Sequence, residues 1–261
     1  MNLDNLLVSD LDGIRTVTLN RPGSLNAITY DVLEELEEVI RDCKYNEKVR
    51  VIVLKGAGKA FCAGDDLKGM GTAKTPLPEG LPLKRAEIGY SRFILTLRQL
   101  DKPVLAQVHG FALGAGCDLA FSCDMIFAAK ETKFGLVFAK RGALGGTAVL
   151  PKIIGYQKAC ELLFSGDMFT AEEAHQMGIV NYVASQEEID ELVNKWAHRF
   201  AKAPTGQIGM MKKAINQSIG ESLERSVDYQ RYIQALMYNT HDSNEGVSAF
   251  LEKREPHFIG K

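Results

Sequence analysis

Two short apolar runs, each closing on glycine, constrain the fold of this chain more than any other feature. Val49 to Lys55 is β-branched and ends in Gly56-Ala57-Gly58, and Val104 to Val108 starts behind Pro103 and runs into His109-Gly110. A run this short and apolar, bounded by turn residues, reads as a strand buried on both faces. A third short strand is expected at Met125 to Ala129. The strand exits near positions 55, 109 and 129 hint at a stacked unit of strand, strand and helix.

Around these runs the pattern alternates. Ile14 to Asn20 reads as a half-buried strand closed by Arg21-Pro22-Gly23. Thr29 then N-caps a helix with Asp31 in its first turn and Leu33, Leu36, Ile40 and Cys43 on one face. Gly69 to Lys84 holds three prolines and three glycines without an apolar period; it reads as a loop able to cover a pocket, ahead of a helix at Arg85 to Leu100. From Gly155 onward the chain turns helical. Thr170 and Glu173 form a capping box, Gly178 ends that helix, and a strand at Ile179 to Val183 follows. Helices are then predicted at Gln186 to Lys202, Thr205 to Ile219, Leu223 to Asn239 and Asn244 to Lys253. The expected division is a core over residues 1–196 and a helical segment over 197–261, with Ala203-Pro204 as a boundary candidate. Leu223, Val227, Ile233, Leu236 and Met237 in that segment need a partner surface, as in helices that complete an oligomer.

Composition removes several function classes. The 261 residues carry 31 basic and 33 acidic side chains, a net charge of −2, with no basic stripe of the kind a phosphate backbone requires. Nucleic acid is not an expected partner. The most apolar window, Val104 to Ala129, is broken by His109, Asp118, Asp124 and several glycines, so no membrane span is expected. Met1 to Ser9 lacks the pattern of a signal peptide. The five cysteines include no CxxC pair, which fits a reducing, cytoplasmic setting.

Two segments carry the chemistry. Lys59-Ala60-Phe61-Cys62-Ala63-Gly64-Asp65-Asp66-Leu67 brings small residues to a strand exit, where a ligand can approach the backbone. His109-Gly110-Phe111-Ala112-Leu113-Gly114-Ala115-Gly116-Cys117-Asp118 does so at the start of a helix. Unpaired N–H groups and the positive end of a helix dipole suit an oxygen that is gaining negative charge.

These two motifs, with Asn20-Arg21-Pro22 through Asn26-Ala27, resemble the crotonase family, also called the enoyl-CoA hydratase/isomerase family. The resemblance runs from Asn20 to Arg254. It implies an α/β fold: a crotonase-like spiral of repeated ββα units with a C-terminal helical oligomerisation segment, assembled as a homotrimer or dimer of trimers. It also implies an acyl-CoA thioester substrate, coenzyme A being part of that substrate, and no metal or redox cofactor. By position, the backbone N–H groups of Ala63 and Ala115 are the implied oxyanion donors and Asp118 the implied acid/base. Cys62, Gly64, Asp65, Asp66, Leu67, Gly114, Phe138 and Lys253 are the implied substrate-lining residues, Lys253 reaching the CoA phosphates of a neighbouring subunit.

The sequence departs from the family at the second acid. A hydratase of this kind carries a second carboxylate twenty residues beyond the first, and here that place is Phe138, which can neither take nor give a proton. The acid that several isomerases place before the next glycine pair is missing from Gly142-Ala143-Leu144-Gly145-Gly146. Water addition then needs another group, such as Asp65, Glu79 or Glu87. The expected activity is that of an enoyl-CoA hydratase or a close isomerase relative. The alternatives are an isomerase or decarboxylase using Asp118 alone, and a non-catalytic acyl-CoA binder. His109 reads as a core histidine bonded to backbone, Cys62 and Cys117 as packing residues, Asp66 as a structural cap, and Lys140 and Arg141 as solvated or salt-bridged charges.

Overall fold

A computed structural model describes residues 3–68 and 89–261. The strands are β1 (Leu6–Leu11), β2 (Ile14–Leu19), β3 (Val51–Gly56), β4 (Val104–Val108), β5 (Phe111–Leu113), β6 (Met125–Ala129), β7 (Lys133–Gly135), β8 (Met168–Thr170) and β9 (Tyr182–Ala184). The helices are α1 (Tyr30–Tyr45), α2 (Ser91–Gln99), α3 (Ala115–Phe121), α4 (Leu150–Ile154), α5 (Tyr156–Ser165), α6 (Ala171–Gln176), α7 (Ile189–Ala201), α8 (Thr205–Ser218), α9 (Leu223–Met237) and α10 (His241–Glu252).

The large sheet has the order β1-β2-β3-β4-β6-β9; β1 and β2 form an antiparallel hairpin and the remaining neighbours are parallel. The exits of β4 and β6 feed a second sheet, β5-β7-β8. The chain thus winds in turns: β4 leads to β5 and α3, and β6 leads to β7. The turn after β3 contributes only Cys62, which bridges Ala112 in parallel.

Both faces of the large sheet are covered, which accounts for the unbroken apolar runs. Ile52, Leu54, Val104, Ala106 and Val108 join α1 and the inner helices in one core, while Val51, Val53, Leu105 and Phe127 pack on Ile189, Val193 and Ala197 of α7. Gln107, facing α7 within β4, is satisfied by Asp190 Oδ1 at 2.6 Å. As expected, the Thr29 hydroxyl accepts from Val32 N at the start of α1, and the Thr170–Glu173 capping box opens α6.

Three expectations are corrected. The residue 196/197 boundary falls inside α7, a continuous helix whose apolar face runs through Ala197 to Ala201, so the core extends to about Lys202. The strand expected at Ile179 to Val183 is Tyr182–Ala184, because the amides of Ile179 and Val180 close the end of α6 on Ala174 O. In the helical segment Ile233 is buried, whereas Leu223 and Leu236 are exposed along with Phe250 and Leu251. The start of the helix predicted from Arg85, and the loop before it with Glu79 and Glu87, lie outside the described residues. Among the described residues no helix is long and apolar enough to cross a membrane.

The helical segment is tied to the core by a buried charge. Lys212 Nζ on α8 donates to Leu97 O at 2.7 Å, Lys102 O at 3.2 Å and Asp124 Oδ2 at 2.8 Å. Burial raises the Asp124 acid and Lys212 pulls it back down. Removing one member of a buried pair leaves the other uncompensated. Lys212→Met should therefore cost about 3–5 kcal/mol in urea denaturation at neutral pH, and a loss near zero would mean that this contact does not secure α8.

Candidate active site

The first loop is fixed by the segment that precedes α1. Asn26, in a left-handed conformation with φ 56°, donates through Nδ2 to Ala57 O at 2.8 Å and Ala60 O at 2.7 Å, and its Oδ1 accepts from Arg21 N at 2.9 Å. Arg21 in turn pairs with Asp66 at 3.0 Å. Asp66 therefore braces the loop, and its Oδ1 also accepts from Lys68 N at 3.2 Å; the helix it was expected to cap lies outside the described residues.

Along residues 62–66 the backbone groups alternate in direction. Cys62 N donates to Phe111 O at 3.0 Å and Cys62 O accepts from Leu113 N at 3.0 Å, zipping this loop to β5. Ala63 N donates to Leu25 O at 3.0 Å. Gly64 O accepts from Ile28 N and Asp66 N donates to Ile28 O, both at 2.8 Å. Asp65 lies between those two groups, so its own N–H points to the opposite edge, where it has no acceptor among the described residues.

Gly64 brings that edge against the second motif. Its φ is +89°, and a Cβ there would lie 2.7 Å from Leu113 O and 3.5 Å from Ala115 N. Ala115 is the first residue of α3, where an N–H has no partner within the helix. The Ala63 assignment is thus corrected: its N–H is already engaged by Leu25 O, and the amide left open beside Ala115 is that of Asp65.

Asp118 projects from the same first turn of α3 and is 1 % exposed. Oδ2 accepts from Gly146 N at 3.0 Å, while Oδ1 is buried without a hydrogen-bond partner among the described residues. Burial is the main cause that lifts this carboxyl to about 6. The Gly146 N–H and the Tyr90 hydroxyl oppose the shift, and the charge of Asp65 adds to it. The Asp65 carboxyl is itself raised by burial, and its Oδ1 also lacks a partner.

Facing Asp118 is an aromatic wall. The rings of Phe138 and Tyr90 stack with centroids 6.3 Å apart and an interplanar angle of 19°. Both press on Gly145, where a Cβ would lie 2.3 Å from the Tyr90 hydroxyl and 2.4 Å from the Phe138 ring. Tyr90 also lines, with Ile28, Leu33, Leu36, Phe93 and Leu119, a small apolar cavity that reaches Ala115.

Of the implied lining residues, Gly64, Asp65, Gly114 and Phe138 surround this point. Gly114 N donates to Gly135 O at 2.8 Å. Leu67 is exposed on the loop. Lys253 caps α10 with φ 55°, and among the described residues no hydrogen bond or ion pair links it to either motif. Cys62 is fully buried with its thiol pushed up to about 12, and burial raises Cys117 likewise, so neither is a ready nucleophile. His109 bonds Gly58 O at 2.9 Å, and Lys140 pairs with Asp167 at 2.7 Å on the surface. Sequence reasoning missed Tyr90 and the clamp from Gly146. Tyr90 lies 28 positions before Asp118 with no motif around it, and a backbone donor leaves no trace in residue type.

The family model described as enoyl-CoA hydratase/isomerase matches residues 10–261. The chain is 37% identical over 254 residues to the 1,2-epoxyphenylacetyl-CoA isomerase of Escherichia coli strain K12, covering 95% of this chain and 96% of that one. It is 32% identical over 267 residues to the crotonyl-CoA hydratase of Syntrophomonas wolfei, covering 100% of both. Its fold matches the crystal structure of enoyl-CoA hydratase from Bacillus anthracis with a TM-score of 0.90 at 30% identity, over 99% of this chain and 100% of that one. With Asp118 and the open amides set on that fold, and a family match over nearly the whole length, the chain belongs to the enoyl-CoA hydratase/isomerase family, whose members act as lyases or isomerases.

Proposed function

We propose that this protein is an acyl-CoA isomerase in which one carboxylate, Asp118, removes a proton from a carbon of the acyl group and returns it to another. The thioester oxygen takes up the electron pair as an enolate, held by the amides of Asp65 and Ala115. Reprotonation by Asp118 moves the double bond and leaves the proton count unchanged. The observation that carries this reading is the Asp118 carboxyl itself: Oδ2 is fixed by Gly146 N–H, Oδ1 is buried and has no hydrogen-bond partner among the described residues, and the stacked rings of Tyr90 and Phe138 lie beside the site. A base raised to about 6 is ionised at neutral pH yet strong enough to accept a carbon-bound proton. The 37% identity to a protein named as an isomerase supports the same choice.

Hydration is the second reading, and the half-buried Asp65 carboxyl, whose Oδ1 has no hydrogen-bond partner among the described residues, is what favours it. The two separate in D2O. With 2- and 3-enoyl-CoA esters, an isomerase interconverts them and exchanges carbon-bound hydrogen without net water uptake. A hydratase consumes the conjugated enone absorbance and needs Asp65 as well as Asp118, so Asp65→Asn would abolish turnover.

Asp118 must be ionised to act, so kcat/KM should fall as pH drops through about 6 and stay level above it. Asp118→Asn should abolish exchange. It should also stabilise the fold at pH 8 by about 3 kcal/mol, the cost of holding ionised a group lifted some two units above its unfolded value. The sign follows from linkage: a raised acid destabilises the fold once it ionises, so this gain should fade as pH falls from about 6 towards 4. Thermal melts of both forms at pH 4 and 8 check it, and equal melting temperatures at pH 8 would contradict the assignment. Gly64→Ala, which pushes the backbone of residues 64–65 away from Leu113 and Ala115, should lower kcat by about 100-fold, measured on whichever ester the wild type turns over.

A further inference from the structure

Among the described residues, Tyr90 is a polar side chain at the site that neither motif supplies. Its ring is held on two sides. Phe138 stacks on one face, and Gly145 lies so close beneath the hydroxyl that any side chain there would collide with it. Gly145 immediately precedes Gly146, whose N–H holds Asp118 Oδ2. Ring, glycine pair and carboxylate therefore form one contiguous unit, placed by α2, the 142–146 turn and α3.

Only one edge of the Asp118 carboxylate is clamped. Among the described residues Oδ1 is buried with no hydrogen bond of ordinary length, although the Tyr90 hydroxyl interacts with this carboxyl. A buried acceptor without a donor is unfavourable by about 1–3 kcal/mol, and a phenol beside it is a natural donor to the ionised form. Resting on the reading of Asp118 as base, we propose that Tyr90 is a positioning residue of the site: its hydroxyl turns the free edge of the Asp118 carboxylate towards the acyl carbon and releases it once that edge carries the substrate proton. The ring does no proton chemistry itself, and its neighbours fix where the hydroxyl can stand.

The charge environment makes this testable. Among the described residues the groups that face Asp118 are the Gly146 N–H and the Tyr90 hydroxyl, which favour the carboxylate, and Asp65, which opposes it; the Cys117 thiol alongside is raised and stays neutral. Burial and the charges of Asp118 and Asp65 raise the Tyr90 phenol, so it remains a donor throughout the working pH range. Removing the hydroxyl takes a donor from the ionised form only, so the Asp118 midpoint must rise.

The experiment is Tyr90→Phe, which keeps the stacked ring, examined in two ways. Carbon-13 NMR of the aspartate carboxyls, with Asp118 assigned by its disappearance in Asp118→Asn, follows the titration in the free protein. Steady-state kinetics follow kcat and KM against pH. The expected result is an Asp118 midpoint higher than the wild type's, an acid limb of the rate profile displaced the same way, kcat lower by roughly 3- to 10-fold, the worth of one net hydrogen bond, and KM unchanged. Phe138→Leu, which loosens the ring without touching the hydroxyl, should lower kcat in the same way. An Asp118 midpoint that stays put in folded Tyr90→Phe overturns the proposal, as does a change confined to KM or to melting temperature. If the wild type turns over no acyl-CoA ester, the NMR titration still decides the role of Tyr90, while the failure falls on the proposed reaction.

Discussion

The zipper between residues 62–65 and 111–115 is the contact on which the rest of the site depends. Cys62 exchanges two hydrogen bonds with the backbone of β5, which sets the register of the first loop against the second. With that register fixed, the first loop passes the N-terminus of α3 at a distance only glycine permits at position 64. Two amides then open towards the same space, while Ala63 is engaged by Leu25, Asp66 by Ile28, and Gly114 by Gly135. The arrangement is preorganised in the strict sense that no side chain needs to move to create it.

Asp118 shows the energetic side of the same design. A carboxyl at 1 % exposure with one unsatisfied oxygen is unfavourable for the fold, and its upward shift records that penalty. The surrounding core offsets it: Phe121, Phe134 and Leu136 are fully buried around α3 and the second sheet, and Gly146 supplies the one donor the carboxylate has within normal distance. Buried polar groups left unpaired in a well-packed protein mark places where a ligand completes the bonding.

Much of this was legible in the sequence. The buried strands, α1 with its Thr29 cap, the Thr170 capping box and the two glycine motifs all follow from local pattern, because periodicity and turn chemistry act within a few residues. The choice of Ala63 failed for a reason that local pattern does not contain. In an extended loop successive amides point to opposite sides, and which one is left open depends on where Leu25 and Ile28 lie, residues more than thirty positions away. The boundary after residue 196 failed similarly, since α7 continues through Ala201 as long as it has the large sheet to pack on. Tyr90 was illegible because its significance comes wholly from Phe138, Gly145 and Asp118, none of which lies near it in the chain.

Phe138 connects these observations to the choice between the two reactions. At this wall a carboxylate would need hydration or a counter-charge, and would hold water opposite Asp118. A phenyl ring 7 % exposed, stacked on Tyr90 and seated on Gly145, offers water no hydrogen-bond partner. Under the isomerase reading the enolate oxygen then leans on the backbone amides of Asp65 and Ala115, and Asp118 alone carries the proton.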